Sequence, residues 1–196
     1  MNTSISLDIT KRYTYSDFLT WTDDVRRELI EGIVSLMAGT TINHGRVSKN
    51  LICRFESIVL NNKGNCEVFH SGIDVCLPQN GETENDKIFT VVQPDIFIVC
   101  DHAKLVDGRC LGAPDMIVEI LSPSNKKKDT HWKFSIYEKS GVCEYWIADP
   151  KTKSITAYIL QADGEYNDGE VYVCGEKAPV YIFDGYLIDV AEIFNF

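Results

Sequence analysis

The chain has 196 residues, a formal net charge of −10 at pH 7 and a hydrophobic fraction of 44%. These values are typical of a globular protein and exclude disordered, collagen-like and membrane-spanning chains. The length suits one core, so we predict a single domain over residues 13–196 after a loose N-terminal segment over residues 1–12. The acidic balance excludes broad, non-specific adhesion to nucleic acid, so any polyanion would need a local basic patch.

Cysteine usage and the N-terminal sequence favour a reducing compartment. The seven cysteines are odd in number and include neither a C-x-x-C pair nor a zinc-knuckle spacing, so we expect reduced thiols. The N-terminus lacks the basic and then apolar layout of a secretory signal, and no apolar run approaches the roughly 20 residues of a membrane helix. The sequence therefore predicts a cytoplasmic protein with no membrane partner.

The predicted elements alternate between helices and strands. In chain order they are a short helix over 13–22, a hairpin or bulged strand pair over 28–37, a helix over 43–64 with Asn43 as its N-cap and Gly64 as its stop, strand runs over 66–77, 89–100 and 115–121, a helix over 129–139, strands over 144–148 and 155–161, and a last strand pair near residues 172 and 181. This order predicts an α/β fold of the α+β type, a mixed sheet flanked by helices.

Two carboxylates stand where packing alone would not put them. Asp95 lies within VVQPDIFIV and Glu119 within MIVEIL, and each is the sole ionisable residue of its apolar stretch. An unpaired carboxylate in such surroundings is costly unless it is neutralised, hydrogen-bonded or bound to a cation. For a single buried acid, an Arg or Lys partner is the more common solution. For two acids on neighbouring central strands we favour Mg²⁺ or Mn²⁺, because carboxylates, waters and phosphate oxygens are the usual ligands of such ions.

The densest positive stretch of the chain follows Glu119. Lys126, Lys127 and Lys128 come directly after the turn SPSN, and further lysines lie in the next predicted helix. Most lysine runs are solvated loops. The position of this run after a buried acid nevertheless predicts that a phosphate-bearing substrate binds there.

The sequence resembles a known nuclease family. Five separated segments, ELIEG, VQPDIFIV, GAPDMIVEILSPS, the DTHWK helix start and GVCEYWIADP, are similar in order to the Uma family of restriction-endonuclease-like proteins, within the PD-(D/E)XK nuclease superfamily. The resemblance runs from about Tyr13 to Leu160. It implies a restriction-endonuclease-like core and a metal held by Asp95 and Glu119, with the carbonyl of Ile120 as a further ligand.

The lysine departs from the superfamily pattern. That pattern places it two residues after the glutamate, where this chain has Leu121. Members of the family supply the lysine from the following helix, which corresponds to Lys133. If Lys133 faces solvent, the lysines at 126–128 become the candidates. We therefore predict Asp95, Glu119 and Lys133 as catalytic residues, the two acids also as metal ligands, and Lys126, Lys127 and Lys128 as substrate-binding residues.

These residues predict a Mg²⁺-dependent endonuclease that hydrolyses DNA. Two alternatives stay open. A nuclease-like fold kept for nucleic-acid binding or assembly is favoured by the net charge of −10 and by Leu121, and a small-molecule phosphodiesterase would be favoured by a narrow pocket. A homodimer is expected if both strands of a duplex are cut, because one site cleaves one strand.

Three further residues carry weaker predictions. Asp74 is a candidate third acid at the metal, or an acid at a sheet edge. Glu31 and His44 are candidate substrate contacts, but a turn role for the first and a helix-capping role for the second are at least as well supported.

Overall fold

The computed structural model describes residues 5–37, 39–62, 64–122 and 128–196. Helices α1 to α4 span Tyr15–Phe18, Ile42–Asn62, Lys128–Ser140 and Val190–Ile193. Strands β1 to β14 span Arg27–Ile30, Ile33–Leu36, Glu67–His70, Val75–Cys76, Val91–Val92, Ile96–Val99, Leu105–Val106, Arg109–Leu111, Met116–Ile120, Glu144–Asp149, Ser154–Ile159, Glu170–Val173, Lys177–Val180 and Tyr186–Asp189.

The described strands form two mixed sheets and a hairpin. The first six-stranded sheet has the order β2-β1-β5-β4-β8-β7, the second has the order β12-β11-β10-β9-β6-β3, and β13 pairs with β14. One pair in each large sheet is parallel, β4 with β8 and β9 with β10. The predicted combination of helices with mixed strands is confirmed, but the strands are divided between two sheets where one was expected.

Pro94 divides one predicted strand run between the two sheets. β5 pairs with β1 and β4 in the first sheet, whereas β6 pairs with β3 and β9 in the second. Proline has no N–H for a ladder hydrogen bond, so it stands where a strand ends. The single strand predicted over 89–100 is therefore wrong, and the break places Gln93 and Asp95 between the sheets. The run over 66–77 is divided in the same way, into β3 and β4.

Two helices cover opposite faces of the second sheet. Val47, Leu51 and Phe55 of α2 pack on one face. Ile136 and Tyr137 of α3 pack on the other face, together with apolar side chains of the first sheet. Apolar burial of this kind contributes about 25 cal/mol per Å². The strands that carry the predicted site therefore lie in the middle of the core.

Other local predictions have mixed outcomes. The hairpin of β1 and β2 is confirmed, with Glu31 and Gly32 at positive φ in its turn. The helices predicted over 43–64 and 129–139 correspond to α2 and α3. The predicted last strand pair is wrong, because β12 pairs with β11 and the strand at Lys177–Val180 pairs with Tyr186–Asp189.

Cys66 and Cys100 form a disulfide, which corrects the prediction of reduced thiols. β3 and β6 are antiparallel with Glu67 opposite Val99, so these two cysteines are the next facing residues. Facing side chains of antiparallel strands are close neighbours whatever their distance in sequence. The cysteine pattern therefore no longer supports a cytoplasmic location, which stays a prediction.

Within the described ranges, no helix is both long enough and apolar enough to cross a membrane. The boundary between residues 12 and 13 stays a prediction. The part of the N-terminal segment that the structure describes is nevertheless attached, because Ile5 N donates to Asp23 Oδ2 at 2.8 Å and Asp8 N donates to the Tyr13 hydroxyl at 2.8 Å.

Candidate active site

A cleft lies where the two sheets meet α2 and α3. Its wall includes residues from six parts of the chain: Arg26 and Glu28 at β1, His44 of α2, Gln93 and Asp95 between β5 and β6, Glu119 of β9, Lys133 of α3 and Tyr145 of β10. The fold thus gathers side chains that are far apart in sequence, including the three predicted catalytic residues.

Asp95 and Glu119 occupy facing positions on neighbouring strands. β6 and β9 are antiparallel with Ile96 opposite Val118, and the two acids follow this pair, one on each strand. Facing residues of antiparallel strands project from the same side of a sheet. The side chains of Asp95 and Glu119 are 14% and 13% exposed. The predicted acid pair is therefore side by side and largely buried.

Asp95 is held in place by α2 and by the adjacent strand. Its Oδ2 accepts a hydrogen bond from Ile120 N at 2.8 Å and lies 3.0 Å from His44 Nε2. His44 sits in the first turn of α2, where its backbone N donates to the Thr41 hydroxyl at 3.2 Å. Thr41 therefore caps this helix, and the Asn43 cap predicted from sequence is wrong. His44 therefore contacts Asp95 and does not cap the helix, and its predicted contact with substrate stays a prediction.

Lys133 contacts Glu119 directly. Lys133 Nζ and the Tyr137 hydroxyl donate to Glu119 Oε1 at 2.9 Å and 2.7 Å. The two donors are four residues apart on α3, which places them on one face of the helix. Lys133 Nζ also donates to Glu28 Oε1 at 2.9 Å. Its side chain is 7% exposed, so it faces the acid pair and not solvent.

Burial and charge determine the protonation states in the cleft. The pKa of Glu119 is raised to about 7 by the combined effect of burial, which raises it most, of the Lys133 ammonium, which lowers it in part, and of the Asp95 and Glu28 charges, which raise it. Burial disfavours the charge of Lys133, but Glu119 and Glu28 raise its pKa above the ordinary value, so the ammonium persists at neutral pH. Burial and Glu119 raise the pKa of Tyr137, which keeps its proton as a donor.

Glu28 lines this cleft, whereas the acid predicted from the same segment is Glu31. Glu28 is 4% exposed. Its Oε1 accepts from Lys133 Nζ at 2.9 Å and from Gln93 N at 2.9 Å. Glu31 has φ 50 in the exposed turn, which fits the turn role. No comparable signal marks Glu28 in the sequence, because two arginines directly precede it and only the two residues after it are apolar.

Asp74 stands behind the cleft wall. Its carboxylate accepts from the Tyr15 hydroxyl at 3.0 Å and from Gln93 Nε2 at 2.9 Å. Gln93 lines the cleft, whereas Asp74 is not among its lining residues. Asp74 therefore orients Gln93 and is not placed as a third acid of the pair.

The structure does not place the predicted substrate-binding lysines. Lys126 and Lys127 lie outside the described residues, and Lys128 begins α3 with its side chain outside them. Leu121, where the superfamily pattern has lysine, lines the cleft. In the described part of the chain, no group of three or more His, Cys, Asp or Glu side chains has the arrangement of a metal site. A metal at the acid pair would therefore need other oxygen ligands as well.

The chain matches one protein family over most of its length. Residues 15–190 match the family described as "Uma2: Putative restriction endonuclease". The chain belongs to this family. An uncharacterized protein of Synechocystis sp. is 25% identical to this Uma2 chain over 153 residues, which cover 76% of this chain and 75% of the other. The match agrees with the resemblance seen in the sequence.

A solved structure supports the fold of the Uma2 chain. The crystal structure described as "a putative nuclease belonging to DUF820", from Anabaena variabilis, aligns with a TM-score of 0.73 at 19% identity, covering 93% of this chain and 98% of that one. Likeness at this identity shows the fold alone. The predicted restriction-endonuclease-like fold is confirmed.

Proposed function

We propose that this protein is a Mg²⁺-dependent nuclease that hydrolyses phosphodiester bonds of DNA. The observation that carries the proposal is the facing pair of Asp95 and Glu119 with the Lys133 ammonium 2.9 Å from Glu119. Membership of the family described as "Uma2: Putative restriction endonuclease" supports the same reaction class. Mn²⁺ could replace Mg²⁺, because both prefer oxygen ligands.

The acid pair suits a divalent cation. The hydrogen bonds described above use Asp95 Oδ2 and Glu119 Oε1, and none from the described residues engages Asp95 Oδ1 or Glu119 Oε2. These two oxygens would hold the ion, with the Ile120 carbonyl as a further candidate ligand and waters or phosphate oxygens completing the shell. A bound Mg²⁺ would polarise the scissile phosphate and lower the pKa of water. It would also relieve the repulsion that contributes to the raised pKa of Glu119.

Lys133 would act on the reacting phosphate. Two of its three N–H groups are directed to Glu28 and Glu119, and the third can serve a water or a phosphate oxygen. A fixed ammonium in a partly buried site stabilises the negative charge that grows in the transition state. Glu28 and Glu119 keep that ammonium in one position.

Arg26 supports a nucleic-acid substrate. It is exposed, lines the cleft, and donates from Nη2 to Ser71 Oγ at 2.7 Å and to Gln93 Oε1 at 3.3 Å. Because Asp74 accepts from the Gln93 amide nitrogen, the amide oxygen is turned to Arg26. A guanidinium fixed beside a buried catalytic pair suits a second phosphate of the same strand.

Glu119→Gln tests the proposal, because it removes one metal ligand and retains the ion pair of Lys133 with Glu28. We expect the wild type to bind Mg²⁺ or Mn²⁺ in calorimetry and to cleave a labelled duplex. The variant should lose measurable metal affinity and at least 100-fold in cleavage rate. The exposed Glu67→Gln, whose side chain is 50% exposed, is the matched control and should retain both.

Two results would contradict the nuclease proposal. One is cleavage by Glu119→Gln at the wild-type rate, and the other is a wild type without divalent affinity. Metal and DNA binding without cleavage would instead support a nuclease-like binding protein, and cleavage restricted to small phosphodiesters would support a small-molecule phosphodiesterase.

A further inference from the structure

Tyr145 carries a buried hydroxyl in the wall of the cleft. The residue lies on β10 and pairs with Ile117 of β9, two positions before Glu119. It is 0% exposed and lines the same cleft as Asp95 and Glu119. Its hydroxyl makes no hydrogen bond within the part of the chain that the structure describes.

Neighbouring buried tyrosines differ from Tyr145 in this respect. The Tyr137 hydroxyl donates to Glu119 at 2.7 Å, and the Tyr166 hydroxyl donates to the Val142 carbonyl at 2.9 Å. The Tyr145 ring is packed against its neighbours, with ring centroids 5.1 Å from Tyr137 and 5.9 Å from Tyr158. This packing holds the phenol in one direction, so the hydroxyl cannot turn to a distant partner.

A buried hydroxyl without a partner destabilises the folded state, because water no longer solvates it and no protein atom replaces the water. A phenylalanine at position 145 would fill the same space without this cost. A buried group that a native protein leaves unsatisfied needs an explanation, and a catalytic role or a bound ion is one of them. This explanation applies to Tyr145, because the residue lines the same cleft as Asp95 and Glu119.

We propose that the Tyr145 hydroxyl donates a hydrogen bond to a phosphate oxygen bound beside Asp95 and Glu119, which makes Tyr145 a substrate-contacting residue. The nature of the ligand rests on the proposed nuclease function. A neutral donor suits this position, because the cleft already holds the carboxylates of Glu28, Asp95 and Glu119 and a phosphate entering it needs hydrogen-bond donors. Burial and Glu119 raise the pKa of Tyr145, so the hydroxyl keeps its proton.

The first test compares thermal unfolding of Tyr145→Phe and Tyr166→Phe. Both tyrosines are buried and their ring centroids are 6.2 Å apart, but among the residues that the structure describes only the Tyr166 hydroxyl has a protein partner. Tyr145→Phe should unfold at the wild-type temperature or above it. Tyr166→Phe should unfold about 2–4 °C lower, because it loses a hydrogen bond and leaves the Val142 carbonyl unpaired. An equal decrease in both variants would show that the Tyr145 hydroxyl has a structural partner and would overturn the proposal.

The second test measures function in the same two variants. With a labelled duplex, kcat of Tyr145→Phe should fall about 10- to 100-fold, because the contact strengthens as charge grows on the phosphate oxygen, while Tyr166→Phe keeps the wild-type kcat. Affinity for a short oligonucleotide in Ca²⁺ should fall about 3-fold in Tyr145→Phe alone. If cleavage is absent and the proposed function fails, this difference in affinity still tests whether Tyr145 contacts a phosphate oxygen. Wild-type affinity together with wild-type kcat in Tyr145→Phe would overturn the proposed contact.

Discussion

Buried acids on the central strands of this protein differ in how their oxygens are used. Glu144 is 0% exposed, and its two oxygens accept from Trp146 Nε1 at 2.7 Å and from Ile182 N at 3.0 Å. Asp95 and Glu119 each direct only one oxygen to the described protein atoms. The sequence setting of Glu144, within CEYWIA, is as apolar as theirs. Hydrogen-bond saturation therefore separates a structural acid from a candidate ligand, and sequence does not contain that information.

Glu144→Gln should change how stability depends on pH. Burial raises the pKa of Glu144 from 4.5 to about 7 in the folded state. The folded state thus binds this proton more tightly, and the free energy of unfolding falls as pH rises from 4.5 to about 7. Gln does not titrate. The free energy of unfolding of the wild type relative to that of the variant should therefore decrease by on the order of 3 kcal/mol across this range.

Urea unfolding of wild type and Glu144→Gln between pH 4.5 and 8 would measure this difference. The other carboxylates contribute equally to the pH dependence of unfolding in both proteins, so their contributions cancel in the difference. The exposed Glu67→Gln controls for the loss of one carboxylate. Parallel stability curves for wild type and Glu144→Gln would contradict the assignment of a raised pKa.

The ends of individual strands and helices bring side chains into the cleft. Pro94 stops β5, and the chain passes to the second sheet before β6 begins, so Gln93 and Asp95 both enter the cleft. The first turn of α2 brings His44 to Asp95. The interiors of β5, β6 and α2 build the core, whereas the residues at their ends line the cleft.

The disulfide should stabilise the pairing of β3 with β6. It joins Cys66, which directly precedes the edge strand β3, to Cys100 across a sequence separation of 34. Constraining a loop of that length in the unfolded state contributes about 3–4 kcal/mol in the loop-entropy treatment. The double variant Cys66→Ser with Cys100→Ser should lose about this free energy of unfolding in urea titrations.

The metal affinity of that double variant should stay at the wild-type level, since Asp95 lies at the opposite end of β6 from Cys100, roughly 16 Å along an extended strand. Cys53→Ser, which removes an exposed free thiol, is the matched control. Equal urea midpoints for wild type, reduced wild type and the double variant would contradict a stabilising bridge.

The whole molecule is acidic, with a net charge of −10. Long-range electrostatics therefore oppose the approach of DNA, and the proposed binding of DNA would depend on local contacts such as the one we assign to Arg26. A homodimer for cutting both strands of a duplex stays a prediction. If one chain contributes few phosphate contacts, the salt dependence of DNA binding should be modest.

Arg26→Ala should reduce this salt dependence. Loss of one phosphate contact decreases the slope of log K against log salt concentration by about 0.9 for duplex DNA. Fluorescence anisotropy with a labelled duplex over a range of NaCl concentrations would give the slope. Arg54→Ala removes an equally charged, exposed side chain on α2, paired with Glu192, and should leave the slope unchanged. An identical slope in the two variants would exclude a phosphate contact at Arg26.

The sequence by itself determined the two main helices, the first hairpin, the mixed architecture and the unusual setting of Asp95 and Glu119. These features depend on periodicity and on neighbours within a few residues, which a sequence displays directly. The prediction of Lys133 as a site residue came from the family resemblance, because no local sequence pattern distinguishes a buried lysine from a solvated one.

Only the tertiary structure decided how these side chains meet. The bond from Lys133 to Glu28 joins residues 105 positions apart, and the disulfide depends on the register of β3 with β6. The division of the strands between two sheets and the orientation of Gln93 toward Arg26 arise in the same way. So does the position of the Tyr145 hydroxyl, which has no hydrogen-bond partner in the described ranges. Each depends on the distance and direction between atoms of separate elements, and packing of the whole chain sets those distances.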